Sequence, residues 1–169
     1  MRLFVAINLN SDIRKALSDA QTQLKNQARS GDYTRAGNLH LTLAFIGEVE
    51  NALKVKDSLA RLKAEPFALA LSGADHFEDL YFVGIADDGR LRQLANDIRQ
   101  LLIADGLPCD AKPFLPHITI ARRVEPTDKV TLQVPFVGMM VDRVSLMKSE
   151  RINGVLTYSE IGRVMLNTD

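Results

Sequence analysis

The chain carries one short pattern twice, and that repeat limits its fold more than any other feature. FVAI at 4–7 is followed, nine residues after Phe4, by Ile13-Arg14 and, 36 residues after Phe4, by His40-Leu41-Thr42-Leu43. FVGI at 82–85 is followed, nine residues after Phe82, by Leu91-Arg92 and, 35 residues after Phe82, by His117-Ile118-Thr119-Ile120. Agreement at three separate offsets reads as duplication of a strand, helix, strand unit. Two like units pack about a pseudo-two-fold axis, so their equivalent strands face one another across a shared cleft. The expected architecture is α+β and bilobal. One domain spans 1–169, with duplicated lobes of about 1–79 and 80–169, antiparallel sheets flanking the cleft and helices outside.

Local patterning fills in this frame. LFVAINL is short, β-branched and apolar, as suits a buried central strand. Ser11 and Asp12 are candidate caps for a helix whose Ile13, Ala16, Leu17, Ala20 and Leu24 share one face. Gly31 and Gly37 punctuate a connection into the strand NLHLTLAFIG. A second helix is expected over 50–63, with Ala52, Val55, Leu59 and Leu62 on one side and Pro66 as its stop. FALALSG predicts a strand ending in a polar turn at Asp75 and His76, and LYFVGIA predicts another. The stripe Leu91, Leu94, Ala95, Ile98, Leu101 and Leu102 marks a third helix, closed by Gly106 and Pro108. PFLPHITIARR, VTLQVPFV, VDRVSLMKSE and VLTYSEIGRVML are read as further strands.

Composition narrows the function classes. The 21 basic and 21 acidic side chains cancel, so a broad grip on a nucleic-acid duplex is not expected and any such partner is touched locally. Cys109 is the single cysteine, which excludes an internal disulfide or a cysteine metal cluster and fits a reducing cytosol. The apolar run at the N-terminus is too short for a signal peptide or a membrane anchor. A cytoplasmic protein without a membrane partner is expected, acting as a monomer. There is no G-x-S-x-G elbow, phosphate loop or G-x-G-x-x-G.

The two H-x-T-x motifs carry the chemistry. Successive side chains of a strand point to opposite faces, so His40 and Thr42 share one face while Leu41 and Leu43 bury on the other. The same holds for His117 and Thr119 against Ile118 and Ile120. Imidazoles give and take protons near neutrality. One neutral and one protonated imidazole across a phosphodiester form a base and an acid, while the threonine hydroxyls can hold non-bridging oxygens. A guanidinium would assist, and 121–123 read ARR. Strict alternation puts Arg123 on the histidine face, whereas a strand-end bulge would bring Arg122 round. The motif supplies neither the carboxylates nor the further histidines of a metal site, so no metal and no cofactor are expected. His76 reads as a surface residue and Cys109 as inert. Pro113 and Pro116 stiffen the approach to His117, and Lys112 at the head of that run is a candidate substrate contact.

With both motifs in order and with these flanks, the sequence resembles the 2H phosphoesterases. NLHLTLAFIGE and KPFLPHITIAR are similar to the bacterial and archaeal RNA 2′,3′-cyclic phosphodiesterases, first called 2′-5′ RNA ligases. The likeness extends to RLFVAINL and to Ser149 and Tyr158 near the end. It implies a bilobal fold around a groove and metal-independent opening of a terminal 2′,3′-cyclic phosphate to a 2′-phosphomonoester, with RNA ends or cyclic nucleotides as substrates. By that resemblance His40 donates a proton to the departing 3′ oxygen, His117 activates water, and Thr42 and Thr119 hold the phosphate. The arginine after the second motif falls on Arg122, with Arg123 as the alternative, and Phe45 matches a base-stacking position, although strict alternation from His40 puts it on the core face, where it would pack. Relatives often carry Arg with an aromatic residue shortly before the first motif, where this chain has Asp32-Tyr33. Ligation by the reverse reaction and non-catalytic binding of RNA ends are the competing functions.

Overall fold

The computed structural model describes residues 1–167. In chain order the elements are β1 (Arg2–Ile7), α1 (Ser11–Lys25), β2 (Ala28–Tyr33), β3 (Leu41–Glu48), α2 (Ala52–Leu59), β4 (Phe67–Phe77), β5 (Leu80–Ala86), α3 (Arg90–Ala104), β6 (His117–Pro126), β7 (Gly138–Val141), β8 (Arg143–Ile152) and β9 (Val155–Met165). A 3-10 turn, Ala36–Asn38, precedes β3. The strands form two antiparallel sheets, ordered β3-β1-β8-β9 and β2-β6-β5-β4-β7. We call them sheets A and B.

The architecture agrees with the α+β, two-sheet expectation, but the strands are not shared out at residue 79. Sheet A combines β1 and β3 with the C-terminal pair β8 and β9, while β2 and β4 from the first half join sheet B. The helices cross over in the same way. Helix α1 leaves β1 of sheet A yet packs on β2, β6 and β7 of sheet B, and α3 leaves β5 of sheet B yet packs on β3 and α2. One core runs through both halves, from Leu3, Val5 and Ile7 of β1 to Leu91, Leu94 and Ile98 of α3 and Ile118 and Ile120 of β6.

Local chemistry explains most boundaries. Asn10, rather than Ser11 or Asp12, caps α1, its side chain accepting from the Ile13 amide at 2.9 Å. The five expected apolar positions of α1 are the buried ones. Helix α2 is shorter than the 50–63 expected. Strand β4 continues through Asp75 and His76, so the turn falls on Glu78, in the left-handed region at φ 53°, and Asp79. Asn153 and Gly154, at φ 53° and 78°, make the two-residue turn between β8 and β9 that a right-twisted hairpin favours.

Two segments differ from the sequence reading. Residues 28–33, read as connection, form edge strand β2, whose polar ARSGDY lies half-exposed against β6 alone. VTLQVPFV contains no strand; β7 begins just after it. Gln23 of α1 and Gln27 of the turn that follows it take backbone groups of that segment instead. The Gln23 amide donates to the Gln133 carbonyl and accepts from its N–H, at 3.0 and 2.8 Å. The Gln27 amide does the same with Thr131, at 2.8 and 2.9 Å.

Candidate active site

Both motif histidines are anchored alike. The Nδ1 of His40 lies 2.6 Å from the Asn38 carbonyl, and the Nδ1 of His117 lies 2.6 Å from the Leu115 carbonyl. A carbonyl only accepts, so Nδ1 carries the hydrogen in each ring and Nε2 is the atom left to exchange a proton. The Nε2 of His40 lies 2.6 Å from the Thr42 hydroxyl. The anchoring carbonyls stand two residues before each histidine, one at the end of the 3-10 turn and one in the Pro113–Pro116 run.

The walls that bear them are built differently. The His40 ring rests against Phe4 (centroids 4.9 Å apart) and meets the Tyr158 ring edge-on at 5.1 Å. The His117 ring meets Phe82 edge-on at 5.6 Å. Thr42 lies opposite Ala6, whereas Thr119 lies opposite Phe82. FVAI and FVGI, equivalent in sequence spacing, are therefore displaced by two residues in register. A two-residue slide leaves every side chain on its original face, so the duplicated pattern survives it.

A bulge after each motif decides which side chain follows the threonine into the cleft. In β3 the pairing skips Leu43 between Thr42 and Ala44, and Leu43 and Ala44 are both buried. In β6 it skips Ile120 between Thr119 and Ala121, and Ile120 and Ala121 are both buried. Each extra residue reverses the alternation, so Phe45 and Arg122 return to the histidine face. This removes the core-face parity expected for Phe45, which is 48% exposed with its ring 6.1 Å from Phe4. It also separates the two arginines. Arg122 makes no ion pair among the described residues, while Arg123, left-handed at φ 51°, turns to Asp32 of β2 in an exposed pair. Asp32 thus engages the guanidinium of the alternative candidate.

Strands β3 and β6 meet where the two sheets adjoin. Burial pushes His40 below its ordinary pKa. The Asn38 carbonyl opposes that shift, and the charges of His117 and Arg14 add to it. The two imidazoles are thus near enough to sense one another. Behind Phe4 and Tyr158, Met147 and Ala6 close a small buried cluster. Next to it Ser145, fully buried, donates to Glu160 at 2.7 Å, and Asn8 donates to both.

The remaining candidates lie elsewhere. Lys112 is exposed in the loop before β6. Its carbonyl is bonded by Arg99 and its amide by Asp110, and its ammonium makes no ion pair among the described residues. His76 is an exposed residue of β4, stacked on Tyr81. Burial pushes the Cys109 thiol up, which keeps it protonated. Among the described residues no three His, Cys, Asp or Glu side chains gather in a metal-holding group, and no helix is long and apolar enough to cross a membrane. Sequence reasoning left Tyr158 without a role and missed Phe4 as the shelf for His40, since an aromatic residue in an apolar strand looks like core.

Comparison with known proteins agrees with this geometry. The family model described as the 2′-5′ RNA ligase superfamily matches residues 11–153. An RNA 2′,3′-cyclic phosphodiesterase of Thermus thermophilus is 35% identical, with 89% of this chain and 82% of that protein covered. One from Geobacillus stearothermophilus is 29% identical over 71% of this chain, which spans 41% of that protein's length. The crystal structure of Escherichia coli LigT complexed with 3′-AMP superposes with a TM-score of 0.85 and 28% identity, covering 99% of this chain and 98% of that one. With the paired motifs, the facing walls and these matches together, the chain belongs to the 2′-5′ RNA ligase superfamily.

Proposed function

We infer that the chain is an RNA 2′,3′-cyclic phosphodiesterase that opens the terminal cyclic phosphate to a 2′-phosphomonoester. The observation that carries this is the matched pair of histidines, each with Nδ1 committed to a carbonyl and Nε2 available. His117, neutral, takes a proton from water as its oxygen bonds to phosphorus. The bond from phosphorus to the 3′ oxygen breaks, and protonated His40 gives its Nε2 proton to that oxygen, leaving a 3′-hydroxyl and a 2′-phosphate. Thr42, Thr119 and Arg122 hold the non-bridging oxygens, and Phe45 offers its exposed ring to the terminal base. An arriving phosphate anion also favours the charged form of His40, offsetting the burial that disfavours it in the free protein. A 5′-hydroxyl in place of water would run the same steps as ligation.

Removal of either imidazole tests the reading. His40→Ala and His117→Ala should each lower kcat by about 10²- to 10⁴-fold, the usual contribution of a general acid or base. Full activity in both would overturn it. Tight, non-turning-over binding of the cyclic end by the wild type would instead indicate an end-binding protein.

A further inference from the structure

The repeat contains one more matched pair that the acid–base scheme leaves unused: Arg14 and Arg92, each the second residue of the Ile-Arg or Leu-Arg step nine places after its phenylalanine. Arg14, in the first turn of α1, donates from Nη1 to the Ala36 carbonyl at 2.8 Å and from Nε to the Leu9 carbonyl at 3.0 Å. It has no carboxylate partner among the described residues. Ala36 opens the 3-10 turn whose last residue, Asn38, supplies the carbonyl on His40 Nδ1. Arg92, in the first turn of α3, donates from Nη1 to the Phe114 carbonyl at 3.1 Å, with Asp87 steadying its Nε at 3.3 Å. Phe114 directly precedes Leu115, whose carbonyl holds His117 Nδ1.

We propose that Arg14 and Arg92 are paired positioning residues, each gripping from a helix the turn whose carbonyl sets the orientation of one imidazole. Because the helices cross over, each clamp also joins a histidine to the far side of the molecule. Helix α1 backs sheet B and holds the turn leading to His40 in sheet A. Helix α3 backs sheet A and holds the turn leading to His117 in sheet B. The two guanidiniums therefore fix the imidazoles relative to each other, which is what a concerted acid–base step requires, since a displacement of about 1 Å can cost about 10²-fold in rate. On the His40 side the turn has a second tie, Asn38 Nδ2 donating to the Leu156 carbonyl of β9 at 3.0 Å. On the His117 side the prolines serve instead.

This proposal rests on the two-histidine reading, but its test does not need turnover. In the full-length wild type, imidazole ¹⁵N spectra near neutral pH should show His40 and His117 with the hydrogen on Nδ1. Arg14→Met should shift His40 toward a mixture of tautomers and leave His117 unchanged, and Arg92→Met should do the reverse. With a cyclic-phosphate RNA, each variant should lose about 10- to 100-fold in kcat with KM within about twofold. Arg14→Lys, which keeps a donor and the charge, should recover part of the loss. Wild-type ¹⁵N shifts and kcat in the methionine variants would overturn the proposal, as would loss of melting temperature with unchanged tautomers. Should Arg14→Met fail to fold, Arg92→Met, at a more exposed site, decides the question. A wild type that shows the Nδ1 tautomers but no hydrolysis would refute the proposed function and leave the clamps standing.

Discussion

An imidazole whose Nδ1–H is bound to a carbonyl can pass protons only through Nε2, and both His40 and His117 meet that condition. His40 also has a measurable signature. Burial disfavours its charged form, so the unfolded chain takes up a proton near the ordinary value of about 6.5 that the folded chain refuses until lower pH. The unfolded state then binds more protons, and stability falls as pH drops below about 6.5. The melting temperature should accordingly decline between pH 7 and pH 5. His40→Gln should flatten that decline, whereas an unchanged slope would contradict the burial seen here. Glu160, held below its ordinary range by the Ser145 hydroxyl, loses its contribution only in more acid solution and does not confuse the window. The pairing of these residues was legible from the sequence because the histidines recur in one tetrapeptide. The carbonyls that fix them were not, since any residue offers a carbonyl and only geometry selects which one.

At the scale of elements, two consecutive apolar residues mattered more than their modesty suggests. Leu43-Ala44 and Ile120-Ala121 break strict alternation, and each break is the bulge that turns Phe45 or Arg122 toward the cleft. That signal was present in the sequence, and with it the return of Arg122 to the histidine face follows from parity. Other elements were hidden for physical reasons. Strand β2 is an edge with few buried side chains, so it has no apolar period to read. Residues 130–137 have a strand-like composition, but Thr131 and Gln133 pair with the side chains of Gln27 and Gln23, which no local pattern announces. The glutamine pairing can be tested directly. Gln27→Ala strips two bonds from Thr131 and should destabilise the protein by about 1–3 kcal/mol in urea. It should also speed amide exchange at Thr131 and leave β1 unaffected. Unchanged stability and exchange would mean water replaces the glutamine without cost.

At the scale of the whole molecule, duplication predicted two similar units, and the chain interleaves them. Neither sheet is complete within 1–79 or 80–169, and neither helix α1 nor α3 backs the sheet it leaves. The sequence could not reveal this exchange, because β1 and β5 are apolar on both faces and so carry no pattern that marks which strand lies beside them. The exchange has a functional reading. A cleft between two independently folded lobes would let its walls drift, whereas here each wall is tied to the opposite half by a helix and an arginine. The two histidines therefore belong to one cooperative structure, as the proposed acid–base step requires. The most direct measurement is incubation with an RNA ending in a 2′,3′-cyclic phosphate, in EDTA, with the product mapped at its terminal ribose. Conversion to a 2′-phosphomonoester, slowed by about 10²- to 10⁴-fold in both His40→Ala and His117→Ala, is the predicted result. A 3′-phosphate product, or turnover that stops in EDTA, would contradict the two-histidine account.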